Sequence, residues 1–215
     1  MRLLLYNPNT DKALTEKLAV LARRVLRSND SLEAVTADEG TGFIGSDETI
    51  EIARASLESH LERHARNSDA VLLGCFGDLG VDEVRERLRL PILSLSDAFF
   101  ATAPFLGKRI SIITTSPFWA GRLEAEVRQK HITRWIAEVR PLANAAGRSS
   151  ESLQEQCRTI VSEFARDARC DLVVLAGAVL VAIAPNLAPG SPLPIADSLA
   201  GAIALCRAGH ESLIF

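Results

Sequence analysis

Short apolar runs alternate along this chain with longer stretches in which apolar residues recur every three or four positions. That alternation is the pattern of parallel strands covered by amphipathic helices. Strands are predicted at Leu3 to Tyr6, Ala70 to Leu73, Ile92 to Leu93, Arg109 to Ile113, Leu172 to Leu175 and Ile195 to Ala196, with weaker ones near Leu32 to Val35 and Glu138 to Arg140. Helices fill the intervals. The first is the clearest, with Thr10 as its expected N-cap and Leu14, Leu18, Leu21 and Val25 stepping along one face. The fold class is therefore α/β.

The second half of the pattern repeats the first. Leu3 answers to Ile110, Ala70 to Leu172 and Pro91-Ile92 to Pro194-Ile195, a period of about 105 residues of the kind that marks a duplicated unit. Two pseudo-symmetric lobes are expected, residues 1–97 with 198–215 and residues 98–197, each a mostly parallel sheet flanked by helices. Ligands of open parallel sheets lie beyond the carboxyl ends of the strands. Two facing lobes then gather Asn7 to Thr10, Gly74 to Gly77, Thr114 to Pro117 and Ala176 to Val179 around one cleft, the expected active site. Small, polar and glycine residues at these exits suit a pocket that holds a small anion by backbone N–H groups and hydroxyls.

Composition narrows the partners. Hydrophobic residues make up 47% of the chain and charged residues 24%, as in folded globular proteins. The net charge of −3 is spread over interspersed acids and bases, so the chain has no basic stripe for nucleic acid. No apolar run approaches the ~20 residues of a membrane span, and Leu3 to Tyr6 follows the start without signal-peptide features. A small-molecule partner and a soluble, cytoplasmic protein are the expectation. Cys75, Cys157, Cys170 and Cys206 lack CxxC spacing and read as thiols rather than disulfides. Cys157, on the stripe Leu153, Cys157, Ile160, Phe164, and Cys206 read as core residues. Cys75 differs, because glycines flank it at a strand exit.

Asn7-Pro8-Asn9-Thr10, Gly74-Cys75-Phe76-Gly77-Asp78, Ile112-Ile113-Thr114-Thr115 and Pro194-Ile195-Ala196-Asp197 occur in an order and spacing that resembles the aspartate/glutamate/hydantoin racemase superfamily, most closely its hydantoin and allantoin racemase branch. The resemblance implies a homo-oligomeric isomerase without cofactor or metal, which removes a proton from a carbon next to a carbonyl and returns it on the other face. In typical members each lobe supplies one cysteine as acid or base, a role a thiol can fill near neutral pH. Cys75 is the implied first-lobe acid/base. Asn7, Asn9, Thr114 and Thr115 match positions that line the substrate, and Phe76 and Gly77 are expected to offer backbone donors to developing negative charge.

The chain departs from the pattern where a second cysteine is expected. There it carries Gly177, followed by Ala178, in the run Leu175-Ala176-Gly177-Ala178-Val179. Cys170 lies at the other end of that strand and Cys206 on a later helix. Three readings stand: an isomerase whose second proton carrier is water, substrate or a side chain such as Asp78; a one-cysteine decarboxylase of malonate-type substrates; and a binding protein that has lost catalysis. The first is preferred. Gly40 to Gly45 spells GxGxxG, but the following strand ends in Gly74-Cys75 rather than in an acidic residue, so it reads as a loop over the cleft and not as a dinucleotide site. His60 and His64 share a helix face without a third ligand and read as solvated.

Overall fold

The computed structural model describes residues 1–77, 79–143 and 145–212 and, of Glu83, the backbone only. Its elements run β1 (Arg2–Asn7), α1 (Lys12–Arg23), β2 (Ser31–Thr36), α2 (Asp47–Ala65), β3 (Ala70–Leu73), α3 (Asp82–Leu88), β4 (Ile92–Ser94), α4 (Leu95–Thr102), β5 (Ile110–Thr114), α5 (Pro117–Gln129), β6 (Ile136–Pro141), α6 (Ser150–Arg166), β7 (Leu172–Ala176), α7 (Ala178–Val181), α8 (Ala184–Leu187) and α9 (Ser198–Ser212). The chain divides into two compact units, Met1–Ala98 with Leu199–Phe215 and Phe99–Ser198.

The first unit is built on a four-stranded sheet of order β2-β1-β3-β4, parallel throughout. Its two central strands, RLLLYN and AVLL, carry buried residues on both faces, as a parallel sheet covered by helices requires. Each fully buried leucine there contributes roughly 1.5–3 kcal/mol through loss of apolar surface to water. Edge strand β2 is half exposed. Helix α1 buries Leu14, Leu18 and Ala22, and α2 opens with a capping box between Ser46 and Thr49. Helix α9 returns to this unit, where the Cys206 thiol lies 3.8 Å from the carbonyl of Val71 on β3.

The second unit carries a three-stranded parallel sheet of order β6-β5-β7. Its core joins Leu153, Cys157, Val161 and Phe164 of α6 to Val173 and Leu175 of β7, with Cys170 in the same cluster.

Three expectations about elements are corrected. The N-cap of α1 is Asp11, whose carboxylate accepts from Leu14 N at 3.0 Å; Thr10 stands one residue outside, its N–H turned instead to Thr41 O. Val25 lies beyond the end of that helix and is 39% exposed, so the buried stripe ends at Ala22. Ile195 to Ala196 is no full strand: Ile195 makes a single bridge to Val173.

The two units repeat each other pair by pair. Leu3 pairs with Ala70 in one and Ile110 with Leu172 in the other. Val71 pairs with Ile92, and Val173 with Ile195. Val71 N donates to Pro91 O at 2.8 Å and Val173 N to Pro194 O at 2.9 Å. The step that carries Val71 to Val173 carries Cys75 to Gly177.

Candidate active site

In the first unit the site is assembled where β1, β3 and β4 end. The Asn7 side chain, fully buried, donates through Nδ2 to Asn9 Oδ1 (2.8 Å), Asp11 O (3.1 Å) and Thr15 Oγ1 (3.0 Å), while its Oδ1 accepts from Asn9 N (3.2 Å). Its hydrogen-bonding capacity is thus taken up inside the loop it organises. Asn9 is placed differently. Its Oδ1 accepts from Asn7 Nδ2 and from Asp11 N (3.0 Å), which fixes the amide's orientation and turns Nδ2, with two N–H donors, away from those partners.

Gly74 links this loop to β3. Its N–H donates to Tyr6 O at 2.8 Å. A β-carbon at 74 would stand 3.1 Å from Leu18 Cδ1 and 3.7 Å from Asn7 Cα, so glycine lets the exit of β3 press against the β1 loop. Cys75 follows at 8% exposure, its carbonyl accepting from Leu95 N at 3.0 Å. Phe76 and Gly77 are buried beside it, and Asp78 lies outside the described residues.

Sequence reasoning passed over the exit of β4. Ser94 and Ser96, both buried, have their hydroxyl oxygens 2.9 Å apart. Ser94 N donates to Asp97 Oδ2 and Asp97 N to Ser94 Oγ, each at 3.0 Å, and Arg85 reaches the same carboxylate at 3.4 Å. Leu95, between the two serines, is the residue that holds Cys75. The available signal was the strand Ile92 to Leu93, whose polar exit is the neighbour of the cysteine's own. The Gly40 to Gly45 loop is also tied to this end of the unit, through Thr10 N to Thr41 O at 3.0 Å.

In the second unit, Thr114 Oγ1 donates to Ala176 O at 2.9 Å, stitching the exit of β5 to that of β7. Thr114 O accepts from Leu142 N (2.8 Å) and Thr115 O from Ala145 N (3.0 Å). Gly177 caps the short helix that Ala178 begins, and its carbonyl accepts from Leu180 N and Val181 N at 2.9 Å each. Its φ of +148° is a conformation that side-chain-bearing residues rarely adopt.

All four cysteines are thiols. Cys157 and Cys206 are fully buried in cores, where desolvation of the charged form pushes each thiol up to about 12. They are unsuited to acid/base chemistry near neutrality. His60 Nδ1 lies 3.2 Å from Ser56 Oγ, and His64 Nδ1 lies 3.7 Å from Glu33. Among the described residues no group of three metal-ligating side chains comes together, and no helix is long and apolar enough to cross a membrane.

Two parallel α/β units that repeat each other strand for strand make this a duplicated α/β protein, with a thiol at one strand exit and hydroxyls at others. The chain belongs to the Asp/Glu/hydantoin racemase family, whose model matches residues 3–206; it is an enzyme of the isomerase class. It is 28% identical over 220 residues to a hydantoin racemase of Paenarthrobacter aurescens, covering 100% of this chain and 91% of the relative. An allantoin racemase from Klebsiella pneumoniae has the same fold, with a TM-score of 0.84 at 22% identity over 97% of this chain and 86% of that one. So has a liganded arylmalonate decarboxylase double mutant, in which one glycine is changed to cysteine and one cysteine to serine (TM-score 0.70, 17% identity, 97% of this chain and 92% of that one).

Proposed function

We propose that this chain moves a proton at the carbon alpha to a carbonyl of an amino acid or hydantoin-like compound, with Cys75 as the acid/base and no cofactor. The observation that carries the reading is the placement of Cys75. Among the four thiols it is the one at the carboxyl end of a sheet, on the exit of β3 between the strands β1 and β4 that lead into the Asn7–Asn9 loop and the Ser94/Ser96 pair, whereas Cys157, Cys170 and Cys206 sit in cores. A thiolate there removes the proton from one face as base, and the carbanion takes a proton on the other face from water, substrate or a second side chain; return by the Cys75 thiol itself gives exchange without inversion. Asn9 Nδ2 is the donor best placed to hold a substrate carbonyl, and the backbone N–H groups of Phe76 and Gly77 serve the enolate-like oxygen. Thr114, Thr115, Gly177 and Ala178 are the second unit's part of the same proposal, as are a homo-oligomeric state and a cytoplasmic location.

The test is proton exchange. In heavy water, a panel of hydantoins, allantoin and amino acids is expected to take deuterium at the alpha carbon, and Cys75→Ser is expected to lower the rate at least ~100-fold while keeping its melting temperature. Exchange that survives the substitution sinks the assignment.

Gly177 favours a second reading, a one-thiol decarboxylase in which Cys75 protonates the carbanion left by loss of carbon dioxide. The likeness to arylmalonate decarboxylase supports it. Release of carbon dioxide from disubstituted malonates, without exchange on hydantoins, would select it.

A further inference from the structure

Gly177 does more than lack a thiol. A β-carbon built on it would stand 2.5 Å from Thr115 Cγ2, well inside contact distance, while the next atom of that side chain, Thr115 Cβ, is 3.8 Å away. The threonine methyl therefore occupies the place that the side chain of residue 177 would take. Both residues are in the second unit, at the exits of the adjacent strands β5 and β7, and Thr115 is only 3% exposed.

A β-branched side chain has few allowed rotamers, and placing its methyl fixes where its hydroxyl points. We infer that Gly177 is a positioning residue for Thr115: the missing side chain at 177 seats the threonine methyl and thereby sets the direction of the threonine hydroxyl. The inference rests on the proposed function, in which Thr115 faces substrate. It deepens that reading, because at the position answering to Cys75 the chain carries a device for aiming a hydroxyl.

The pair has a direct signature. Any residue at 177 must be accommodated twice, once against the threonine methyl and once by moving φ out of the region near +148°. Serine at 115 removes the first problem and leaves the second, so a double-mutant cycle isolates the coupling. Gly177→Ala is expected to lower the melting temperature by about 4–8 °C with Thr115 present, and by about half as much in the Thr115→Ser background. The same pattern is expected in KM. Gly177→Ala should raise it at least ~5-fold beside threonine, whose hydroxyl is displaced, and less than ~2-fold beside serine, which can keep its hydroxyl in place. Equal losses in both backgrounds, in stability and in KM, overturn the inference.

Gly177→Cys alone should then behave like Gly177→Ala, while Thr115→Ser with Gly177→Cys can seat a second thiol and should raise racemisation relative to exchange. Coupling in melting temperature without that rise would leave the Gly177–Thr115 pair standing and count against the two-thiol alignment behind the proposed function.

Discussion

Asn7 and Asn9 show what a residue type conceals. Both were expected to line the substrate, and by composition and spacing they are interchangeable: two asparagines, two positions apart, after a strand. The hydrogen bonds separate them. Asn7 satisfies Asn9, Asp11 and Thr15 from a fully buried position, whereas Asn9 has its oxygen engaged by Asn7 and Asp11, with its NH2 group directed away from both. Asn7→Ala should remove four hydrogen bonds from a buried loop and cost about 2–3 kcal/mol, a fall of roughly 4–12 °C in melting temperature for a chain of this size. Asn9→Ala should change the melting temperature by no more than about 3 °C and instead raise KM. Denaturation and steady-state kinetics on the two variants decide it, and the roles are misassigned if the effects come out exchanged. Cys75 was legible because a thiol between glycines at a strand exit is chemically conspicuous. Ser94 and Ser96 were not, because serines after a short apolar run look like any loop.

At the scale of elements, the continuous apolar runs predicted strands well. Ala70 to Leu73 is found with the expected bounds, and the weaker runs at Leu32 and Glu138 are the edge strands β2 and β6, whose half-exposed faces dilute the hydrophobic signal. Helix ends were harder to read. Thr10 and Asp11 are both good caps by type, and the choice between them depends on the loop after β1: the Thr10 N–H goes to Thr41 O, while Asp11, held through its N–H by Asn9, is left to cap Leu14. Asp11→Ala should cost about 1 kcal/mol and lower the melting temperature by about 2–4 °C. A smaller effect from Asp11→Ala than from Thr10→Ala would return the cap to Thr10.

At the scale of the whole molecule, the first unit is discontinuous in sequence, and its closure depends on a contact that no local pattern reveals. Arg207 on α9 meets Asp30, ahead of β2, in a two-pronged pair, Nη1 to Oδ1 at 3.0 Å and Nη2 to Oδ2 at 2.7 Å, and Arg27 N adds a third donor at 2.8 Å. The partners are 177 positions apart, so no periodicity could have linked them. The Asp30 side chain is 1% exposed, and its hydrogen bonds to Arg207, more than offsetting its burial, hold the carboxyl far below the ordinary carboxylate range. A carboxylate depressed in the folded state contributes stability that is fully present above its unfolded value, near ~4, and is lost as pH falls toward the folded one. Arg207→Met removes the two-pronged partner and leaves the carboxylate with the Met1 ammonium at 3.1 Å and the Arg27 N–H, at a cost of about 2–3 kcal/mol at pH 7. The deficit should shrink as pH drops below about 4, because both unfolded chains and the folded variant then take up a proton on Asp30, whereas folded wild type, its carboxyl held low by Arg207, does not. Urea unfolding of both proteins at pH 7, 5, 4 and 3 measures the difference directly. A deficit that stays constant across that range would mean that α9 is held by its apolar face, through Leu199, Ala202, Ile203 and Cys206, and that the ion pair contributes little to closing the unit.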